Sequence, residues 1–228
     1  MSTKVLLFFS GTVLFFSFIL FSFLVHKNLF TKLDFDTTVR LQDKIPRRVD
    51  PVFSVLSDVG SFEPMLVVLV GLLVFLVMTR RVTAAVIALS GFVGFHLIEL
   101  FGKYFVDHPP PPQFLLRTQD MVAFPQFHVR QEFSYPSGHS GRALFIATIL
   151  LILIWQQKKW SPLVRGIACC VVVGYVGMML LSRIYLGEHW LSDVIGGAML
   201  GTALGLMTGT FLVGKGKGFL HRLHRGKD

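Results

Sequence analysis

Residues 182–193, with the sequence SRIYLGEHWLSD, connect two long apolar runs at about 164–181 and 190–213. The stretch carries four ionisable side chains: Arg183, Glu188, His189 and Asp193. Ionisable groups at membrane depth are energetically costly, so they usually face a partner or a water-filled cavity and mark a functional site. The stretch therefore predicts a polar site where two membrane-spanning helices meet.

The composition indicates a membrane protein. Of the 228 residues, 53% are hydrophobic and 15% are charged, and the mean hydropathy is +0.63, values that fit a membrane protein far better than a soluble domain. The formal net charge is +9, but the basic residues lie in pairs beside apolar runs, which favours contact with anionic lipid headgroups over nucleic acid. Cys169 and Cys170 are adjacent within an apolar run, so they indicate neither a disulfide framework nor a zinc site.

Apolar runs close to the length of about 20 residues needed to cross a bilayer predict six transmembrane helices. They cover residues 5–25, 64–79, 82–104, 139–155, 164–181 and 190–213. The first run is too long and too evenly apolar for a cleaved signal peptide, so we expect it to remain as an anchor. The predicted fold is all-α, a polytopic bundle of six transmembrane helices with the active site at the outer membrane–water interface.

We expect a single membrane-embedded domain over residues 1–228. Its parts are a transmembrane anchor at 1–25, an interfacial helical loop at 26–63, a catalytic helix bundle at 64–214 and a basic cytoplasmic tail at 215–228. The loop mixes acids and bases with apolar residues at helical spacing, which predicts one or two helices lying on the bilayer surface.

The basic residues set the expected orientation in the membrane. Half of the 22 lysines and arginines fall on each face, so their number alone does not decide it. Those on the face of the two termini lie close to helix ends, where the positive-inside rule applies most strongly. We therefore expect both termini in the cytoplasm and the active site on the periplasmic or exterior side of an inner or plasma membrane.

Three polar stretches fall at helix ends on the expected outer face: GKYFVDHPPPP at 102–112, YPSGHSGR at 135–142, and residues 182–193. In the last, His189 and Asp193 are four residues apart, so they lie one above the other on a helix. The carboxylate can accept the Nδ1 proton and leave Nε2 as a free nucleophile. Arg183 offers a planar fork of donors suited to phosphate oxygens, and Ser182 can add a hydroxyl.

The second stretch predicts an anion cradle followed by a proton donor. Ser137 and Gly138 lie in a tight turn just before an apolar helix, where backbone N–H groups and a hydroxyl can hold an anion. His139 comes next, and a protonated imidazole there can pass its proton to a leaving alkoxide.

The two motifs together, PSGH at 136–139 and Ser-Arg-x5-His-x3-Asp at 182–193, resemble the second and third signature motifs of the type 2 phosphatidic acid phosphatase superfamily at every fixed position. This superfamily comprises lipid phosphate phosphatases, glucose-6-phosphatase, bacterial acid phosphatases and vanadium haloperoxidases. The resemblance implies that His189 becomes phosphohistidine, that Asp193 is its partner and that His139 protonates the leaving group.

The same resemblance implies that Arg183, Ser137 and the Gly138 amide hold the phosphoryl oxygens, and it implies no metal or other cofactor. The expected substrate and partner is a membrane lipid phosphomonoester or pyrophosphate. Phosphatidic acid, phosphatidylglycerol phosphate and undecaprenyl pyrophosphate all fit. Two alternatives stay open, namely a phosphotransferase with the same histidine chemistry and a non-catalytic relative that binds phospholipid or a protein partner.

The first signature motif of the family is altered. The family pattern has Lys, six residues, then Arg-Pro, and counting from Lys103 the arginine position is occupied by Pro110. Arg142 lies three residues after His139, on nearly the same helix face, so we expect it to replace the missing arginine. His108, two residues before the altered position, is the second candidate.

One helix face on the third predicted span carries His96, Glu99 and Lys103, at positions i, i+3 and i+7. The spacing of the last two suits an ion pair. We therefore expect Glu99 to lie behind the phosphate-binding residues and to steer Lys103 toward the cleft.

Overall fold

The computed structural model describes residues 2–118 and 133–213, and within these ranges the chain forms α-helices and no strands. The helices are α1 (Thr3–His26), α2 (Thr31–Lys44), α3 (Asp50–Val59), α4 (Phe62–Met78), α5 (Val82–Phe105), α6 (Gly138–Trp155), α7 (Pro162–Tyr185) and α8 (Leu191–Leu212). Short 3₁₀ turns lie at Arg47–Val49 and Gln113–Leu115. The expected all-α class is confirmed.

Five helices in the described part of the chain are long and apolar enough to cross a bilayer, namely α1, α5, α6, α7 and α8. The shorter α4 makes a sixth candidate span together with Arg47–Val59, from which it is bent by 48°. The expected count of six is therefore reached only through this bent pair. The expected basic tail at 215–228 lies outside the described residues.

Side-chain caps fix where two of the spans begin. The Ser137 side chain accepts a hydrogen bond from the Ser140 amide at 3.4 Å, and α6 starts at the next residue. Ser161 does the same for the Val164 amide at 3.3 Å, and Pro162 occupies the first helical position of α7. Serine at the N-cap and proline at the first helical position are both favoured helix-start signals.

The centre of the bundle is α8, which packs along α6 and α1 and also contacts α5 and α7. Glycines make the approach of α6 and α8 possible: a Cβ on Gly201 would strike the backbone of Gly141, and one on Gly197 would strike the Ser137 carbonyl. Small residues of this kind let membrane helices pack backbone to backbone. The contact brings the first turn of α6 beside the first turn of α8.

The region 26–63 contains α2, the 3₁₀ turn at Arg47–Val49 and α3. The Gln42 amide on α2 donates to the Leu115 carbonyl at 2.7 Å and to the Tyr185 carbonyl at 2.8 Å. α3 packs against α7. Both helices are thus tied to the end of α7 that carries Arg183.

We predict that Gly201→Ala lowers the stability of the detergent-solubilised protein by about 1–3 kcal/mol, the usual cost of overpacking a close contact. The added methyl group meets backbone, which cannot move aside. Gly174→Ala on α7 is the matched control because a Cβ there meets nothing within 4 Å. Melting temperatures from fluorescence-detected size exclusion check this, and equal values for the two variants would contradict it.

Candidate active site

The three polar stretches converge on one cluster of cationic and imidazole side chains. The His139 side chain interacts electrostatically with those of Lys103, Arg142, Arg183 and His189. These five residues come from the end of α5, the start of α6, the end of α7 and the turn before α8. His139 and His189 thus lie near each other among basic side chains.

His189 and Asp193 form the expected pair. His189 Nδ1 lies 3.3 Å from Asp193 Oδ2, and both side chains are buried. The same Oδ2 accepts the Trp190 amide at 3.0 Å, and the Trp190 indole donates to the Pro109 carbonyl at 2.8 Å. The HPPPP stretch and the first turn of α8 are therefore bound to each other beside the His189–Asp193 pair.

The environment keeps His189 neutral. Burial lowers the pKa of His189, the hydrogen bond to Asp193 opposes this, and the Arg183 charge adds to it, so that the pKa falls to about 4. A neutral ring whose Nδ1 proton is held by Asp193 presents Nε2 as a lone pair. The pair therefore has the protonation state that a nucleophile requires.

Arg183, in the last turn of α7, contacts acidic and hydroxyl groups from other segments. Its guanidinium contacts the Glu188 carboxylate and the Ser57 hydroxyl, and Asp58 lies nearby. Glu188 also accepts a hydrogen bond from Thr118 at 2.6 Å. Arg183 Nε is buried and has no hydrogen-bond partner among the residues that the structure describes. The guanidinium is thus fixed in place with a donor still to be satisfied.

Arg142 is buried beside the same cluster. Its Nη1 lies 3.6 Å from Glu99 Oε2, and its guanidinium lies 6.0 Å from the centroid of the Phe62 ring. Its Nε is also buried without a partner within 2–118 and 133–213. Glu99 pairs in addition with His96 Nδ1 at 3.0 Å.

The expected Glu99–Lys103 ion pair gives way to a different arrangement. Glu99 contacts His96 and Arg142, while Lys103 Nζ donates to the Ser134 carbonyl at 3.5 Å. Glu99 is therefore paired with Arg142 rather than with Lys103.

Ser137, Gly138 and Ser182 differ in their hydrogen bonds and in the space around them. The Ser137 hydroxyl accepts from Ser140 Oγ at 3.0 Å and caps α6. A Cβ on Gly138 would meet the Glu99 carboxylate and Arg142 Nη1, so a larger residue there would displace the Glu99–Arg142 pair. The Ser182 hydroxyl donates to the Met179 carbonyl at 2.7 Å and is fully buried, so its proton is engaged within its own helix rather than by the cleft.

His108 lies next to the Asp193 carboxylate and also contacts Asp34, which the sequence does not mark as a site residue. His108 Nδ1 is 2.8 Å from Asp193 Oδ1, and its Nε2 is 3.5 Å from Asp34 Oδ2. Asp34 belongs to α2 and is 1% exposed. The sequence around it, a mixed run of acids and bases, gives no signal that this one carboxylate is buried.

Within residues 2–118 and 133–213, no group of three or more histidine, cysteine, aspartate or glutamate side chains is arranged to hold a metal ion.

Comparisons with known proteins agree with these motifs. A family model described as the PAP2 superfamily matches residues 82–216. An undecaprenyl-diphosphatase of Sulfolobus acidocaldarius is 38% identical over 77 residues, 34% of this chain and 32% of the relative. A phosphatidylglycerophosphatase B of Bacillus subtilis is 35% identical over 100 residues, 41% of this chain and 42% of the relative. The chain thus matches less than half the length of either relative.

A solved structure shares the fold. It is the transmembrane PAP2 type phosphatidylglycerolphosphate phosphatase from Bacillus subtilis, with a TM-score of 0.71 and 20% sequence identity. The similarity covers 90% of this chain and 98% of that one. Together with the apolar helices, it makes this chain an integral membrane protein.

We predict that His189 protonates only when the pH falls through about 4, because its pKa is depressed. The ring should therefore remain neutral at pH 6, where an unperturbed histidine of pKa about 6.5 is mostly charged. Titration of ¹⁵N-histidine-labelled protein by NMR checks this, with His189→Ala identifying the resonance. A midpoint at or above about 6.5 would contradict the prediction.

Proposed function

Because the chain belongs to the PAP2 superfamily, we propose that it is a lipid phosphatase that acts through a phosphohistidine and needs no metal. The observation that supports this most directly is the His189–Asp193 pair at 3.3 Å, buried among Lys103, Arg142 and Arg183. A nucleophile with its orienter beside preorganised positive charge is the arrangement that phosphoryl transfer needs.

In the first step, the lone pair of His189 Nε2 attacks phosphorus and the bond from phosphorus to the lipid oxygen breaks. His139 gives its proton to the departing oxygen, so the lipid leaves as an alcohol, or as a monophosphate if the substrate is a pyrophosphate. The phosphorylated imidazole keeps its Nδ1 proton and carries positive charge, which the Asp193 carboxylate stabilises. Arg183 and Lys103 balance the negative phosphoryl oxygens.

In the second step, a water molecule attacks the phosphohistidine and gives a proton to His139. The bond between phosphorus and Nε2 breaks, inorganic phosphate leaves, and His189 returns to its neutral form. His139 is protonated again for the next substrate. The same residue acts first as acid and then as base, as the two opposite steps require.

The substrate class is a phosphate or pyrophosphate on a membrane lipid. The relatives named as undecaprenyl-diphosphatase and phosphatidylglycerophosphatase support this class, and so does the position of the cluster at the ends of membrane-spanning helices. We propose that the tails stay in the bilayer while the headgroup enters from the side. We propose that both termini lie in the cytoplasm and that the site faces outward, because the basic residues on the face of the termini lie close to helix ends.

Arg142 is the better candidate for the role of the missing first-motif arginine. It is a permanent cation with an unsatisfied Nε beside the cluster, whereas both ring nitrogens of His108 face carboxylates. We therefore assign phosphate binding to Arg142, Arg183 and Lys103, with the cradle of Ser137 and Gly138 at the start of α6.

We predict that His189→Ala reduces phosphate release from lipid phosphates by at least about 10³-fold, because it removes the nucleophile. Detergent-purified protein is incubated in chelator with phosphatidic acid, phosphatidylglycerol phosphate or undecaprenyl pyrophosphate, and free phosphate is measured. His26→Ala, an exposed histidine outside the cluster, is the control. Release from none of the three lipids by the unaltered protein would overturn the hydrolase proposal, and a labelled acceptor product would indicate transfer.

We predict that Arg142→Ala lowers kcat/KM by about 10- to 100-fold, the cost of losing a charge-assisted contact of about 1.5–3 kcal/mol. Arg165→Ala is the matched control, because Arg165 lies in the first turn of α7, at the opposite end of that helix from Arg183. Phosphate-release kinetics check this on protein that elutes as a single folded peak. Unchanged kcat and KM in Arg142→Ala would remove Arg142 from the proposed site.

A further inference from the structure

We propose that His108 is a positioning residue: held by Asp34 of α2, it fixes the Asp193 carboxylate and supplies the cation that lets His189 stay neutral. This inference rests on the proposed phosphohistidine chemistry and adds two residues to it. It also gives α2 a part in the reaction.

The geometry shows one carboxylate shared by two imidazoles. Asp193 Oδ1 lies 2.8 Å from His108 Nδ1, and Asp193 Oδ2 lies 3.3 Å from His189 Nδ1. Each oxygen therefore faces its own ring. With Oδ1 bound to His108, rotation of the carboxylate away from His189 would break the shorter of the two contacts.

The His108 ring is itself fixed from several directions. Its backbone carbonyl accepts from the Ser134 amide at 3.0 Å and from the Ser134 hydroxyl at 3.2 Å. The neighbouring Pro109 carbonyl accepts the Trp190 indole proton. The Tyr135 ring meets the His108 ring edge to face, with centroids 6.5 Å apart. His108 is 4% exposed, so water does not compete for its nitrogens.

Asp34 anchors the far side of this arrangement. Its Oδ1 accepts the Ser192 amide at 2.8 Å and its Oδ2 accepts the Ser192 hydroxyl at 2.7 Å. Ser192 is in the first turn of α8, where backbone N–H groups lack intrahelical partners and favour a negative charge. Asp34 therefore binds α2 to the same turn that carries Asp193, and it faces His108 Nε2 from there.

The surrounding charges explain why His108 and His189, which share the Asp193 carboxylate, have different pKa values. Burial lowers the pKa of His108, but the hydrogen bonds and charges of Asp193 and Asp34 outweigh this and raise it to about 9. The ring is thus cationic at neutral pH and balances Asp193. His189 faces Asp193 from α8, Arg183 from α7, Lys103 from α5 and His139 from α6. Burial and the Arg183 and Lys103 charges lower its pKa, and because His108 already offsets the Asp193 charge, that carboxylate opposes the lowering less.

The test replaces His108 by glutamine, which can still donate a hydrogen bond but carries no charge. With the cation gone, we expect the NMR titration midpoint of His189 to rise by about one unit or more, and the acid limb of kcat/KM to move to higher pH by the same amount. We expect kcat to fall about tenfold or more with little change in KM. His108→Arg, which restores the cation, should recover part of the rate.

The matched control is His26→Gln, a histidine whose Nδ1 accepts the Asp107 amide at 3.2 Å and which lies outside the cluster. It should leave the His189 midpoint and both kinetic constants unchanged. If His108→Gln does not fold, Asp34→Asn tests the same link. Removing that carboxylate should lower the pKa of His108 below its value of about 9 and move the alkaline limb of the pH profile down.

The outcomes separate the two proposals. An unmoved His189 midpoint in folded His108→Gln, or in Asp34→Asn an unmoved His108 midpoint, would overturn the positioning role even if the protein is an active phosphatase. A shifted midpoint in a protein that releases no phosphate would leave the coupling of the two imidazoles intact and would overturn the hydrolase proposal alone.

Discussion

The Asp193 carboxylate is fully buried at the first turn of α8, and a charge in that position is tolerated only where hydrogen bonds and opposite charge replace water. Its donors come from separate parts of the chain: His189 beside it, the Trp190 amide, and His108 from the stretch after α5. The backbone carbonyl of the same residue accepts the Ser137 amide at 3.0 Å. The same residue thus joins the turn before α8, the start of α6 and the stretch after α5.

The buried arginines of the cluster are likewise paired with opposite charges. Arg183 contacts Glu188, and Arg142 contacts Glu99. These carboxylates offset the cost of burying two guanidiniums near each other and near Lys103, and they set the direction in which the remaining donors point. The apolar bundle thus accommodates a set of buried cations, two of which are paired with carboxylates.

The sequence alone predicted those features that depend on residues close together in the chain. Apolar runs located the spans to within a few residues, and a four-residue spacing identified His189 with Asp193. The sequence did not predict contacts between side chains that are far apart in the chain. Asp34 and Ser192 are 158 positions apart, and the cation that Glu99 orients is Arg142 on another helix rather than Lys103 one turn away. Burial decided these contacts, and burial depends on how helices pack, which periodicity within one helix does not reveal.

The hydrogen bonds between Asp34 of α2 and Ser192 of α8 also indicate which part of the chain is needed to complete this cluster. The family match starts at residue 82, yet Asp34, well before it in the chain, contacts His108 and the first turn of α8. A chimera that transplanted the matched segment alone would import His108 without its second counter-ion. Recombination between relatives should therefore preserve function best when α2 is kept together with the first turn of α8 that it contacts.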